Sequence, residues 1–419
     1  MRFWHSATLA FIAFLTICIS GCGGGGGGSA GTLSPATPIT TVAEAQQHGK
    51  WTILVYLDAD NDLESAALHN FNQMEAIGST RDARVIVQLD RAPGHNITNG
   101  DWTDTRRYLI VRDSATYTIN SIRLDEAAPL GERNMGSAQT LRDFVTWGIA
   151  QFPADHYCLV LWDHGTGWQT RTMAGEPPYK YVCLDETSND QLTLSEIVTA
   201  LAGSRVDLLA MDACYMGQLE VVYELRNCCS YFVGSPCTEP SPGYNYSYIL
   251  NRLSSSVSPA QFAQIIVEEY AHQYPPPHSN IVLGAIDVSR VEELAKAADD
   301  FAQLLINKGS TYTAALASAR DNSQSYYSSG SGSTRHYRDL WHYGQLCANA
   351  IGALAENPWQ TLRTAFANCV IAQTHNKDTP NAHGLGIYIP PPGDYEASYS
   401  TLGFANGTLW DNWVLQQLQ

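Results

Sequence analysis

The chain has 419 residues, 44% of them hydrophobic, enough to bury a full core without metals or disulfides to hold it together. Its 41 acidic and 24 basic side chains give a formal net charge of -17, a field that repels phosphate backbones and argues against a nucleic-acid partner. The same charge suits solubility and, secondarily, a site that attracts cationic substrates.

The first stretch reads as a targeting segment. Arg2 precedes an apolar run over residues 7–17 that is too short for a comfortable membrane span and fits the core of a signal peptide over 1–21. It ends in Ile19-Ser20-Gly21-Cys22, which resembles a bacterial lipobox. That resemblance implies that Cys22 becomes the mature N-terminus, carries lipid, and holds the protein to a membrane outside the cytoplasm. The uncharged Gly23 suits an outer-membrane or surface destination in a host that has one. Six glycines, Gly23 to Gly28, and a Ser/Thr/Pro-rich stretch then predict a flexible tether over 22–49. An ordinary signal peptide with a soluble product is the alternative.

Regular structure is expected from Trp51. Residues 51–57 are almost wholly apolar and rich in β-formers, the mark of a strand buried on both faces. An acidic turn, Asp58 to Asp62, leads to a helix with Leu63, Ala67, Phe71, Met74 and Ile77 on one face. Strands follow at 84–90 and 108–111. Ser137 is placed to cap a helix carrying Leu141, Phe144, Val145 and Ile149. Residues 157–162 form the next buried strand, ending in Asp163-His164-Gly165. A helix at 192–202 leads to the strand 206–211, ending in Asp212-Ala213-Cys214. A helix at 217–225 and a strand at 231–234 complete an alternation that predicts a mostly parallel α/β sheet flanked by helices. Beyond Gly243 the pattern is mainly helical, at 259–274, 291–306, 340–354 and 358–373, with Asn357 capping the last. Strands at 281–286 and 385–389 interrupt it, and the Ser/Tyr/Gly-rich run 323–333 reads as a mobile loop. The domain division expected is a catalytic domain over 50–290 and a helical region over 291–419 packed on it.

His164 and Cys214 each end a buried strand. In an open parallel sheet the carboxyl ends of the strands share one edge, where sites form, so two side chains fifty residues apart can meet. A thiol becomes reactive as the thiolate, and an imidazole supplies the base and later the acid. The amides of Gly165 and Cys214 are candidates to hold an oxyanion. Taken singly, a strand-end His is an ordinary surface residue and a strand-end Cys an ordinary small hydrophobe. Eight cysteines lie beyond Cys22 with no CxxC pair, so no zinc pattern is present. Cys228, Cys229 and Cys237 are the candidates for disulfides.

Five stretches, in order, resemble the clostripain family of cysteine peptidases. They are Trp51 to Tyr56 with Ala59 to Glu64, Trp162-Asp163-His164-Gly165-Thr166-Gly167-Trp168, and Met211-Asp212-Ala213-Cys214-Tyr215-Met216-Gly217. Val233-Gly234-Ser235 with Glu239-Pro240, and His383-Gly384-Leu385-Gly386-Ile387-Tyr388-Ile389-Pro390, complete the set. The resemblance implies a caspase-like fold and a dyad of Cys214 as nucleophile and His164 as base and acid. It also implies cleavage of peptides or proteins after Arg or Lys, with Asp212 in the pocket for that side chain. Glu239 is the single carboxylate of the loop 239–246, where relatives often carry a further acid. Relatives are often activated by cutting a loop between the two motifs, which here implies cleavage after Lys180 or, second, Arg171.

No cofactor is required by this reading, and no residue set shows metal-ligand spacing. The acidic run at 58–64 fails as an EF-hand, with Leu63 and His69 where glycine and glutamate are needed. Some family members respond to calcium, so the resemblance leaves calcium open. A Cys-His transpeptidase or amidase on cell-wall peptides uses the same dyad. An inactive surface-binding lipoprotein is the alternative outside enzymes. A serine hydrolase is disfavoured because no predicted strand-to-helix turn carries a G-x-S-x-G elbow.

Overall fold

The computed structural model describes residues 37–168, 182–275, 281–326 and 336–418, and residues 36–419 form one compact unit. In chain order the strands are β1 (Gly49–Ala59), β2 (Ala83–Arg91), β3 (Arg106–Leu109), β4 (Ile122–Arg123), β5 (Ala154–Trp162), β6 (Val182–Asp185) and β7 (Asp190–Leu192). They continue as β8 (Val206–Asp212), β9 (Cys229–Gly234), β10 (Val282–Asp287), β11 (Tyr337–Asp339), β12 (Val370–His375) and β13 (Gly386–Tyr388). Nine of them make the central sheet, ordered β12-β10-β9-β8-β5-β1-β2-β3-β4. The five middle strands, β9 to β2, pair in parallel. The outer pairings are antiparallel. This is the mostly parallel α/β sheet expected, with helices on both faces and a helix-rich C-terminal region.

The continuous apolar runs are explained by the two faces they feed. Leu54 and Tyr56 of β1, with Leu159 and Leu161 of β5 and Leu209 and Met211 of β8, enter one core. Ile53, Val55 and Leu57, with Val160, Trp162, Leu208 and Ala210, enter the other. Each face is then covered by a helix whose apolar stripe was legible. Glu64–Ile77 buries Ala67, Phe71 and Met74, and Ala138–Gln151 buries Leu141, Phe144 and Val145. Ser137 caps the latter, its side chain accepting from the Gln139 amide at 3.2 Å. Truncating such a core residue, for example Leu54→Ala, costs about 2–5 kcal/mol.

Several expectations need correction. The tether ends earlier than residue 49: Ile39 is buried, its amide bonds Ser79 O at 2.9 Å, and Val42–Ala45 is a helix with a complete capping box. The helix expected over 358–373 is Glu356–Cys369, and its last residues are instead the strand β12, paired antiparallel with β10. Val370-Ile371 at an open sheet edge satisfies more backbone as strand than as one further helical turn. Asn357 is not the cap; it lies inside that helix, which continues directly from the 3-10 turn Gly352–Ala355. The helix expected to end at 306 runs Val291–Asn322 through a kink at Tyr312. The strand near 385–389 is β13, paired with β11 in a separate two-stranded sheet. Beyond residue 290, β12 belongs to the central sheet. Cys228 and Cys229 are free, buried thiols and Cys237 is buried, while Cys214 is partly exposed. Of the run 323–333, Ser323 and Tyr326 are buried and the residues from 327 on lie outside the described residues. So do the leader, Cys22, Arg171 and Lys180. Among the described residues no helix is long and apolar enough to cross a membrane.

Candidate active site

β5 and β8 are neighbours in the sheet, and Trp162 pairs in register with Asp212. His164 and Cys214 therefore occupy the same position on adjacent loops, each two residues past a paired residue. The loops are in contact: the Asp163 amide donates to Asp212 O at 3.3 Å. A methyl group built on Gly165 would lie 2.4 Å from the Cys214 carbonyl oxygen, so only glycine lets the two loops approach this closely. Gly165 also forms an isolated antiparallel bridge with Val182, which starts β6.

His164 Nε2 lies 2.7 Å from Asp62 Oδ1. That hydrogen bond, more than any other cause, holds the Asp62 carboxyl below its ordinary value. Asp62 is 71% exposed and His164 29%, so this contact orients the ring more than it stabilises the fold. The turn carrying Asp62 is fixed by its neighbour. Asn61 donates through Nδ2 to Asp163 Oδ1 at 2.9 Å and to Leu184 O at 2.8 Å. The Leu184 amide in turn donates to Asp163 Oδ2. The acidic turn, the histidine loop and β6 are thus knitted together. Asp62 had no signal in the sequence, since it is one acid in an acidic run.

Cys214 meets the following loop. The Glu239 amide donates to Cys214 Sγ at 3.2 Å, the kind of donor that favours thiolate. The Glu239 side chain turns inward, with both carboxylate oxygens buried. It meets Asp212, which accepts from the Tyr246 hydroxyl at 2.8 Å and the Tyr244 amide at 3.1 Å. Burial pushes the Asp212 carboxyl up to about 7, against the pull of Tyr246 and Tyr244. Burial and then the Asp212 charge push Glu239 well above the usual carboxylate range. Two carboxyls in contact and out of water titrate as a pair, and each, once ionised, disfavours ionisation of the other. Gly243 lets the loop wrap Asp212: its φ is +79° and an added methyl would sit 2.2 Å from Asp212 Oδ1.

These groups line one pocket of about 160 Å³, bounded by His164, Cys214, Asp212, Glu239 and the Pro240–Gly243 turn, with Leu63 and Trp162 as apolar walls. Of the residues singled out in the sequence, the structure brings His164, Gly165, Asp212, Cys214 and Glu239 together; Cys22, Arg171 and Lys180 fall outside the described residues. The tyrosines that hold Asp212 were not legible, because nothing local in the sequence links Tyr246 to a residue 34 positions earlier.

The sequence model of the clostripain family, peptidase family C11, matches residues 55–415. Clostripain from Hathewaya histolytica is 29% identical over 225 residues, 49% of this chain and 42% of that protein. The chain thus aligns with less than half the length of that curated relative. Two solved structures share the fold. One is a secreted C11 cysteine protease from Bacteroides thetaiotaomicron in complex with an irreversible peptide inhibitor, with TM-score 0.63 and 20% identity over 87% of this chain and 100% of that one. The other is an inactive zymogen C11 protease from Parabacteroides distasonis, with TM-score 0.62 and 20% identity over 86% of this chain and 98% of that one. With the family model covering most of its length, the chain belongs to the clostripain family of peptidases.

Proposed function

We propose that the chain is a cysteine endopeptidase that hydrolyses peptide bonds after Arg or Lys through His164 and Cys214. The observation that carries this reading is the shared register of β5 and β8, which sets both side chains at the mouth of one pocket with a buried acidic pair. The substrate's basic side chain enters that pocket and meets Asp212 and Glu239. The arriving cation favours ionisation of both, and a charge pair forms away from bulk water. Asp62 holds His164 by Nε2, and Nδ1 takes the thiol proton. The Cys214 thiolate attacks the carbonyl carbon beside the basic residue, and the amides of Gly165 and Cys214 receive the oxyanion. His164 protonates the leaving amine. It then takes a proton from water, which attacks the thioester and releases the acid.

Two finer readings accompany it. The chain is processed after Lys180 or Arg171, since this segment joins Trp168 to Val182 and Val182 bridges Gly165. It is exported and anchored by lipid on Cys22, a reading supported by the apolar run and the Ile19-Ser20-Gly21-Cys22 motif. Palmitate labelling that persists in a Cys22→Ser protein contradicts the anchor. Calcium enters no step of the chemistry.

The test is covalent capture. A peptidyl ketone ending in Lys should add once, on Cys214 in a peptide map, and the same reagent ending in Leu should not. An unmodified Cys214 in folded protein, or equal labelling by both reagents, contradicts the proposal.

A further inference from the structure

One inward position of the sheet holds a cation. Side chains alternate along a strand, so Leu109 of β3, which enters a core, shares its face with Arg107 two residues earlier. Arg107 is 9% exposed. It pairs in register with Gln88 of β2, and its guanidinium lies 4.2 Å from the Trp147 ring centroid and 5.6 Å from that of Phe144, both on the helix Ala138–Gln151.

A guanidinium this buried ordinarily meets a carboxylate. Here Nε donates to Gln88 Oε1 at 2.9 Å, and the two terminal nitrogens donate to no group among the described residues. The nearby acids are engaged elsewhere. Asp125 accepts from the Arg107 backbone amide at 3.1 Å and from Arg123 Nη2 at 2.9 Å, and Asp143 accepts from Gln139 Nε2 at 2.7 Å. Burial pulls the Arg107 guanidinium down to about 10, against the pull of Asp143 and Asp125. A buried cation with open N–H groups is costly, and an anion seated on them removes that cost.

There is room for one. Arg107 lines a cavity of about 760 Å³ that shares no residue with the active-site pocket. A second cation, Arg133, lines it too, with Ser137, Gln139 and Thr140 from the cap and first turn of the 14-residue helix. The positive end of that helix therefore adds to the field of the two arginines. Glu132 and Asp143, both exposed, also line the cavity.

We infer that this cavity binds a small polar monocarboxylate, its two oxygens held by the terminal nitrogens of Arg107. The planar fork of a guanidinium matches a carboxylate edge to edge. The two exposed acids favour a single negative charge over the two of a phosphate. The remaining amides and hydroxyls offer hydrogen bonds to an uncharged, polar body, and the volume is that of a small-molecule site. An amino-acid carboxylate and an acidic sugar share this chemistry. The site does not depend on the peptidase reading.

The experiment titrates the full chain by calorimetry with N-acetylglycine and with glucuronate, each beside its neutral counterpart, N-acetylglycine amide or glucose, and with inorganic phosphate. The preferred carboxylate should bind about tenfold more tightly than its neutral counterpart, and more tightly than phosphate. Preference for N-acetylglycine assigns the occupant to amino-acid chemistry, and preference for glucuronate assigns it to acidic sugars. Arg107→Lys keeps the charge but loses the fork, and should weaken binding about tenfold. Gln139→Glu is exposed in the first helical turn, where an acid suits the helix; it should leave melting unchanged and weaken binding about threefold. Cys214→Ala should bind as the wild type does, which separates this site from the catalytic one. No heat from either acid at millimolar concentration overturns the site, as does equal binding of acid and neutral counterpart. Tighter binding of phosphate overturns the carboxylate assignment. Undiminished binding in both Arg107→Lys and Gln139→Glu would place the ligand elsewhere and overturn the site.

Discussion

Trp162 and Asp212 stand opposite each other on adjacent parallel strands, and the two loops leaving them carry His164 and Cys214 at matching positions. The pocket follows from that register, because Asp212 is at once the last residue of β8 and part of the pocket lining beside Cys214.

Asp212→Asn should lose most cleavage after Arg and Lys. The variant keeps an acceptor for the Tyr244 amide but offers a cationic side chain no partner charge. Leaving a charge unpaired in a closed pocket costs about 2–5 kcal/mol, so kcat/KM for Arg and Lys substrates should fall by about 30-fold or more. Steady-state kinetics on a Lys peptide and its norleucine counterpart check this; an equal fall for both would deny Asp212 its role in the pocket.

The same carboxyl predicts a pH dependence of stability. Asp212 sits at about 7 in the folded protein against an ordinary 3.8, so the native state binds more protons than the unfolded chain between those values. Its contribution is therefore fully present below the ordinary value and is lost as pH rises towards 7. Between about pH 5 and about pH 7.5, Asp212→Asn should gain roughly 1–3 kcal/mol relative to the wild type. Urea midpoints at the two pH values measure this, and parallel curves would contradict it.

Asp62→Ala should lower kcat about tenfold with KM little changed, because it frees the imidazole without touching the pocket. Asp62→Asn, which keeps a hydrogen-bonding partner, should recover part of the loss. A change confined to KM would show that Asp62 contacts substrate instead.

Gly165→Ala should inactivate more than it destabilises. The methyl meets the Cys214 carbonyl oxygen at 2.4 Å, and the Cys214 loop has to move. The strain costs about 1–3 kcal/mol, while displacement of a nucleophile by about 1 Å costs on the order of 100-fold in rate. Melting curves beside kcat/KM separate the two effects.

The central strands and the loops carrying His164 and Cys214 are legible because each strand is a continuous apolar run, and two of them end in a chemically distinctive residue. Strands β4, β6, β7 and β11 have two to four residues each and leave no period to detect. The run Val370 to Gln373 reads as helix in the sequence because a short apolar segment after a helix continues its spacing, and only the open edge of β10 makes it a strand. The pocket chemistry was half legible. Asp212 stands two residues before Cys214, whereas Glu239 meets Cys214 across 25 residues and Asp62 reaches His164 across 102.

The most direct measurement is hydrolysis of a panel of fluorogenic peptides ending in Arg, Lys, Asn, Asp or Leu, by the wild type beside Cys214→Ala and His164→Ala. The account predicts release after Arg and Lys only, and none above background from either variant. Release after another residue would contradict the acidic pocket, and release that survives Cys214→Ala would contradict the dyad itself.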